Sequence, residues 1–184
     1  MVILEFTTKY IMKNIILLLF LGAAVTVVFA CTNTTGQVEQ TQKPVKALSP
    51  TDTSLKPVIR TEQDWKNILT ENQYYILREE GTERAFLNAY HNNKKDGTYY
   101  CAGCGLPLFS STTQFDSGTG WPSFYAPLNK NRVKENMDAA YGMIRTEVEC
   151  ARCGGHLGHV FDDGPRPTGL RYCMNSGAMI FQEK

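Results

Sequence analysis

Two short cysteine motifs constrain this chain more than any other feature. Cys101-Ala102-Gly103-Cys104-Gly105 and Cys150-Ala151-Arg152-Cys153-Gly154 are near repeats, with residues 105–149 between them. A C-x-x-C turn sets two sulfurs on one side of a tight backbone loop, and the glycine after it permits the positive φ that such knuckles need. Two knuckles supply four thiolates, a closed tetrahedral site with no position left for substrate. Soft ligands, four-coordination and freedom from redox chemistry make zinc the best fit, in a structural role. Iron in the same cage, or two disulfides in an oxidising compartment, are the alternatives. A thioredoxin-type redox pair calls for a βαβ setting that the sequence does not offer. An ion bound by Cys101, Cys104, Cys150 and Cys153 pins distant segments together, so it contributes folding energy.

The chain of 184 residues suits one domain of ordinary size, and 19 basic against 18 acidic residues leave no electrostatic footprint for nucleic acid. Its front reads as an export signal. Met12-Lys13-Asn14 gives a short basic start, Ile15 to Ala30 is almost unbroken apolar sequence, and Val28-Phe29-Ala30-Cys31 ends it. A Cys directly after a small residue resembles a bacterial lipoprotein signal, in which Cys31 is lipidated and becomes the mature N-terminus; an uncleaved anchor is the alternative. The expectation is a signal over 1–30, a flexible tether over 31–60 and a folded domain over 61–184. The tether assignment follows from Thr, Gln and Pro and the lack of aromatics before Thr61. The domain is thereby expected outside the cytoplasm, held to a membrane through lipid.

Within the domain, Thr61 followed by Glu62-Gln63-Asp64 predicts a helix burying Trp65, Ile68 and Leu69, and Gly81-Thr82-Glu83 opens a second helical candidate through Tyr90. From Thr98 the texture changes to short strand-like runs punctuated by Gly, Asn, Asp and Pro: Tyr99-Tyr100, 106–109, 141–148, 157–161, 170–174 and 178–181. Ile144, Thr146 and Val148 alternate with polar residues as a half-buried strand requires. No helical stretch separates the runs, so the fold class is mainly β, antiparallel, with a short helical preface.

With Cys31 assigned to lipid and four Cys to the metal, Cys173 is left in Gly169-Leu170-Arg171-Tyr172-Cys173-Met174-Asn175-Ser176. On a strand, Arg171 and Asn175 share its face, and a guanidinium beside a thiol favours thiolate. His156 and His159 fall together in Gly154-Gly155-His156-Leu157-Gly158-His159; a spacing of three does not put them on one strand face, but the glycines allow a turn between them, and at least one reads as a proton donor or a positioning group, with packed or solvent-facing imidazoles the alternative. Ser117-Gly118-Thr119-Gly120-Trp121-Pro122-Ser123-Phe124 reads as a rigid loop presenting an indole, with core packing the competing role for the Trp.

Taken together, the paired C-x-x-C-G, S-G-T-G-W-P-S-F, G-G-H-L-G-H-V-F-D-D-G-P and G-L-R-Y-C-M-N-S motifs resemble the B-type methionine sulfoxide reductases, from about Thr61 to Phe181. The resemblance implies a β-tent of two antiparallel sheets with one structural zinc, and reduction of methionine-R-sulfoxide in peptides and proteins. Cys173 then matches the nucleophile; His156, His159 and Asn175 match groups that handle the sulfoxide oxygen and water; Arg171 and Asp163 match supporting charges. Trp121, with Phe124 near it, matches the substrate-binding wall. Many members carry a resolving Cys where this chain has Thr119, so the sulfenic acid formed on Cys173 is expected to be reduced by an external, thioredoxin-like thiol. Smaller departures are Ala85, where Pro is usual, and Gly177-Ala178-Met179. A monomer is expected. The competing function is a zinc-stabilised binding module without catalysis.

Overall fold

The computed structural model describes residues 45–49, 54–139 and 144–184, all within one compact unit spanning Gln40–Lys184. The expected signal over 1–30 and Cys31 lie outside the described residues, among which no helix is long and apolar enough to cross a membrane.

Helix α1 (Glu62–Ile68) begins at Thr61 with a capping box: the Thr61 hydroxyl accepts from the Asp64 amide, and the Asp64 carboxylate accepts from the Thr61 amide. It buries Trp65 and ends at the buried Leu69, whereas Ile68 is half-buried. The second helix is not where the sequence placed it. Helix α2 (Glu71–Glu79) is capped in the same way by Thr70 and Gln73 and buries Ile76 and Leu77. Residues 81–93 instead form turns, because the side chains there bond outward rather than along a helix. The Glu83 carboxylate accepts the amides of Ser176 and Gly177, the Asn88 amide donates to the Gly120 carbonyl, and Phe86 sits at a helix-breaking φ of 63°.

Nine strands follow among the described residues, every adjacent pair antiparallel. They are β1 (Gly97–Cys101), β2 (Pro107–Ser110), β3 (Gln114–Phe115), β4 (Ser123–Phe124), β5 (Val133–Asp138), β6 (Arg145–Cys150), β7 (His156–Phe161), β8 (Arg171–Met174) and β9 (Met179–Glu183). One sheet has the order β2-β1-β9; the other runs β3-β4-β8-β7-β6-β5. The expected mainly β architecture of two antiparallel sheets is therefore observed. Ile144 corrects a detail: it precedes β6 and is 81% exposed, while Val148 on the strand is wholly buried.

Aromatic rings join the two sheets. Phe109 of β2 stacks on Phe124 of β4 with centroids 4.5 Å apart, and Tyr99 of β1 meets Phe124 edge-on at 5.0 Å. Leu108, Val148, Leu157 and Met174 complete the centre, and α2 closes it against β7.

The composition-based tether does not run free to Arg60. The Leu48 amide donates to the Gly105 carbonyl and the Val58 amide to the Arg152 carbonyl, while Leu55 and Val58 pack on the core. A polar, proline-rich stretch is held here because its backbone bonds to one carbonyl at each cysteine knuckle.

Candidate active site

Each cysteine knuckle is the turn of a β-hairpin. In the first, the Gly105 amide donates to the Cys101 carbonyl and the chain returns from β1 to β2; in the second, the Gly154 amide donates to the Cys150 carbonyl between β6 and β7. Gly105 (φ 73°) and Gly154 (φ 65°) take the left-handed conformation that closes both turns. One hairpin belongs to each sheet, so the four sulfurs meet where the sheets come together. Cys101 and Cys153 sulfurs are 3.6 Å apart, as are those of Cys104 and Cys150, and all four lie within 4.8 Å of one another. Zinc–sulfur bonds of about 2.3 Å give a tetrahedron with edges of about 3.8 Å. The spacing fits that cage and is far beyond a disulfide's sulfur–sulfur bond of about 2.0 Å. Hydrogen bonding among the sulfurs pushes the Cys101 thiol up, with burial adding to it, and pulls Cys153 down against the effect of burial.

The second site is laid across the larger sheet. Ser123 of β4 pairs with Cys173 of β8, Cys173 with His159 of β7, and His159 with Glu147 of β6. Directly opposed residues put their side chains on one face with Cβ atoms about 4.5–5.5 Å apart. A single row across four strands therefore brings hydroxyl, thiol, imidazole and carboxylate together. His156 joins the row through a bulge: β7 carries one extra residue, Leu157, against β6, which turns both imidazoles to the same side with ring centroids 5.4 Å apart. Gly158 permits it, since a Cβ there would lie 2.2 Å from the Cys173 carbonyl oxygen.

Carboxylates orient both rings. His159 Nε2 lies 2.9 Å from Asp138 Oδ2, which also takes Arg145 Nη2 at 2.6 Å; His156 Nδ1 lies 2.6 Å from Glu147 Oε1. These partners direct a ring proton to each carboxylate in the neutral imidazole, leaving His159 Nδ1 and His156 Nε2 as acceptors. The buried His156 Nε2 finds no partner among the described residues. Both rings, with Thr82, Asp138, Arg145 and Glu147, line a cleft of about 480 Å³. A wider groove of about 680 Å³ along α2 contains neither thiol nor imidazole.

Electrostatics revise the expected charge states. Burial pushes the Cys173 thiol up, outweighing the Thr119 hydroxyl and the Arg171 charge. Burial likewise holds His159 below its ordinary value against the opposing pull of Asp138. At rest the sulfur is thiol and the ring is imidazole, rather than thiolate and imidazolium. Cys173 and His159 are opposed in the β8–β7 register, and His159 is held in turn by Asp138.

The remaining predicted residues divide. Arg171 forms a two-pronged pair with Asp163 at 2.8 and 2.9 Å, and its guanidinium lies 4.3 Å from the Phe161 ring centroid, two residues along β8 from the sulfur. The Trp121 indole donates to the Glu83 carbonyl at 3.0 Å and stays half-exposed. Asn175 is 3% exposed, its Oδ1 accepts the Glu83 amide and its Nδ2 donates to the Leu157 carbonyl, so it braces the 81–83 turn to β7. Phe124 has no exposed surface, and its ring is stacked on Phe109 in the core between the sheets. Asp138, Arg145 and Glu147 were missed, because acids and bases on a polar hairpin read as solvated surface until the strand register aims them at the histidines.

A model of the SelR domain matches residues 69–183. The chain belongs to this family. SelR relatives include proteins called peptide methionine sulfoxide reductase MsrB in Leptospira interrogans (serogroup Icterohaemorrhagiae, serovar Lai), 56% identical over 69% of this chain and 97% of the relative. The one in Thiobacillus denitrificans is 57% identical over 68% of this chain and 95% of its own. That of Agrobacterium fabrum is 53% identical over 71% and 97%. The SelR match contains the whole row from Ser123 to Glu147 and both knuckles.

Proposed function

We propose that this chain reduces methionine-R-sulfoxide in peptides and proteins, with Cys173 as nucleophile. The observation that carries the reading is the in-register row Ser123–Cys173–His159–Glu147, with Asp138 behind His159, in a member of the SelR family. Trp121 offers the substrate methyl and sulfur an apolar, polarisable face. As Cys173 attacks the sulfoxide sulfur, its proton passes to His159 and from the resulting imidazolium to the sulfoxide oxygen. His156, held by Glu147, presents Nε2 to the water or hydroxyl at that oxygen. The oxygen is then transferred: methionine sulfur is reduced by two electrons, and Cys173 is oxidised to sulfenic acid carrying the oxygen and one hydrogen.

Thr119 stands where a resolving thiol would have to be. Two equivalents of an external thiol, from a thioredoxin-like donor, therefore return Cys173 to thiol, releasing water and a disulfide. Cys101, Cys104, Cys150 and Cys153 hold one zinc, which supplies a structural cross-link and no open coordination position. The leader and Cys31 support an exported, lipid-anchored protein, acting as a monomer in repair of oxidised proteins outside the cytoplasm.

The test is reduction of a peptide containing R-sulfoxide with dithiothreitol as donor, comparing wild type with Cys173→Ser. Turnover should vanish in the variant while zinc content holds at one equivalent. Turnover retained by Cys173→Ser would place the chemistry elsewhere, and an intramolecular disulfide to Cys173 with zinc intact would overturn the external-donor step.

A further inference from the structure

Three hydroxyls converge on the reactive sulfur from the loop before β4 and from β4 itself. Thr119 Oγ1 is 3.9 Å from Cys173 Sγ, and Ser117 Oγ lies 2.8 Å from Thr119 Oγ1 and 2.7 Å from Ser123 Oγ. Ser123 is wholly buried and directly opposes Cys173 in the β4–β8 register. Ser123 Oγ also lies 3.3 Å from the Trp121 carbonyl oxygen, the longest of these oxygen–oxygen contacts. The Thr119 amide points at Ser117 Oγ from 3.4 Å. The titratable or charged groups facing the sulfur are His159 across β7 and Arg171 on its own strand; residues 117–123 contribute none.

We propose that Thr119, Ser117 and Ser123 form a hydroxyl cradle that reverses its hydrogen bonds when Cys173 loses its proton, presenting two donors to the thiolate. The count of hydrogens requires a reversal. Each hydroxyl has one hydrogen to give. With sulfur as thiol, the hydrogens run one way: sulfur to Thr119, Thr119 to Ser117, Ser117 to Ser123, and Ser123 to the Trp121 carbonyl. With sulfur as thiolate, Thr119 and Ser123 turn towards it and Ser117 donates to one of them. The long contact to the Trp121 carbonyl and one of the two hydroxyl contacts of Ser117 are given up. No proton moves along the chain; the hydroxyls rotate about their C–O bonds. Thr119 and Ser123 touch the reacting atom, and Ser117 acts as a positioning residue by bridging them.

The cradle resolves a conflict in the site. A buried thiol is hard to ionise, yet attack on sulfoxide needs thiolate character. Donors that serve the neutral network at rest and the anion during attack lower that cost without charging the resting site. The inference rests on Cys173 being the nucleophile, and its test reads ionisation of the thiol without turnover.

The rate of Cys173 carboxamidomethylation by iodoacetamide is measured against pH on zinc-loaded protein, with the modified peptide quantified by mass spectrometry. Thr119→Val and Ser123→Ala should each raise the apparent midpoint by about one pH unit, slowing alkylation at pH 7 about tenfold. Ser117→Ala should raise it by less, and Thr119→Ser should restore the wild-type midpoint. Thr119, half-buried on a loop, serves as the test even if Ser123→Ala fails to fold. A midpoint unchanged in Thr119→Val with zinc retained overturns the cradle and leaves the reductase reading standing. A dead wild type with the expected midpoint shifts overturns the reductase reading and leaves the cradle.

Discussion

Removing the metal should cost this domain a large part of its stability, and the size follows from where the cysteines sit. The knuckles cap one hairpin from each sheet, and the segment from Cys104 to Cys150 contains β2 to β6. A cation bound by all four sulfurs closes that segment, about 47 residues long, into a loop in the unfolded chain as well. Loop-closure entropy of about 14 cal/mol/K corresponds to about 4 kcal/mol at 25 °C. Domains of this size are stable by about 5–15 kcal/mol, so the cross-link supplies a substantial fraction. With an unfolding entropy of about 2.1 cal/mol/K per residue, the melting temperature should fall by roughly 15 °C. The assay is differential scanning calorimetry of zinc-loaded and chelated protein at one pH. A reductant is kept throughout so that disulfides cannot replace the ion. If protein shown by elemental analysis to have lost its zinc melts within about 3 °C of the loaded form, the two-hairpin staple is not a stabilising element.

Three further outcomes follow from the structure. Because burial raises the Cys173 thiol and lowers His159, alkylation of Cys173 should have its midpoint above the ordinary thiol value of about 8.5; a midpoint below it would refute the neutral resting pair. Linkage gives the matching stability profile: the Cys173 contribution is full below the unfolded thiol's pKa and lost as pH rises through the folded value. The His159 contribution is full above the unfolded imidazole's pKa and lost as pH falls through the folded value. Urea titrations across pH should therefore peak between the two, with the alkaline fall reduced in Cys173→Ala. Phe124→Ala should cost about 3–5 kcal/mol in thermal or urea unfolding through loss of its stack on Phe109, and Phe124→Leu should keep the wild-type KM. A Leu variant of full stability and weakened substrate affinity would return Phe124 to the substrate wall.

What was legible in the sequence was whatever chemistry makes rare. Four cysteines in two spaced pairs predicted the cluster, and the alternating run ending at Val148 predicted a strand whose buried residue is in place. β5 escaped because it is the edge of its sheet: Lys134, Glu135, Asn136 and Met137 are all exposed, so no alternation marks it. Helix α2 was signalled by Thr70 three residues before Gln73, the same cap pattern that betrayed α1, but the Gly-Thr-Glu run drew the reading downstream. The burial of Phe124 and Asn175 is not legible along the chain. Neighbourhood along a strand fixes the face, and depth depends on what the second sheet and the 81–93 turns lay over it. The carboxylates behind the histidines are a register effect, legible only once β6 is aligned with β7.

The pairing of a suppressed thiolate with a suppressed imidazolium has a consequence for selectivity. A thiolate standing free at neutral pH attacks soluble oxidants as readily as substrate, and each such event can carry it up the oxidation ladder beyond easy reduction. Here the sulfur is kept neutral by burial, and its proton acceptor, His159, is kept neutral and aimed by Asp138. Transfer between the two creates an ion pair inside the site, which costs energy until something at the sulfoxide position takes the proton. In the proposed mechanism a sulfoxide oxygen would do so as the sulfur–sulfur bond forms, whereas peroxide arriving without a methyl contact to Trp121 would not be held in line. The proposed mechanism would thus couple reactivity to occupancy of the indole face, with the neutral resting state making the coupling possible.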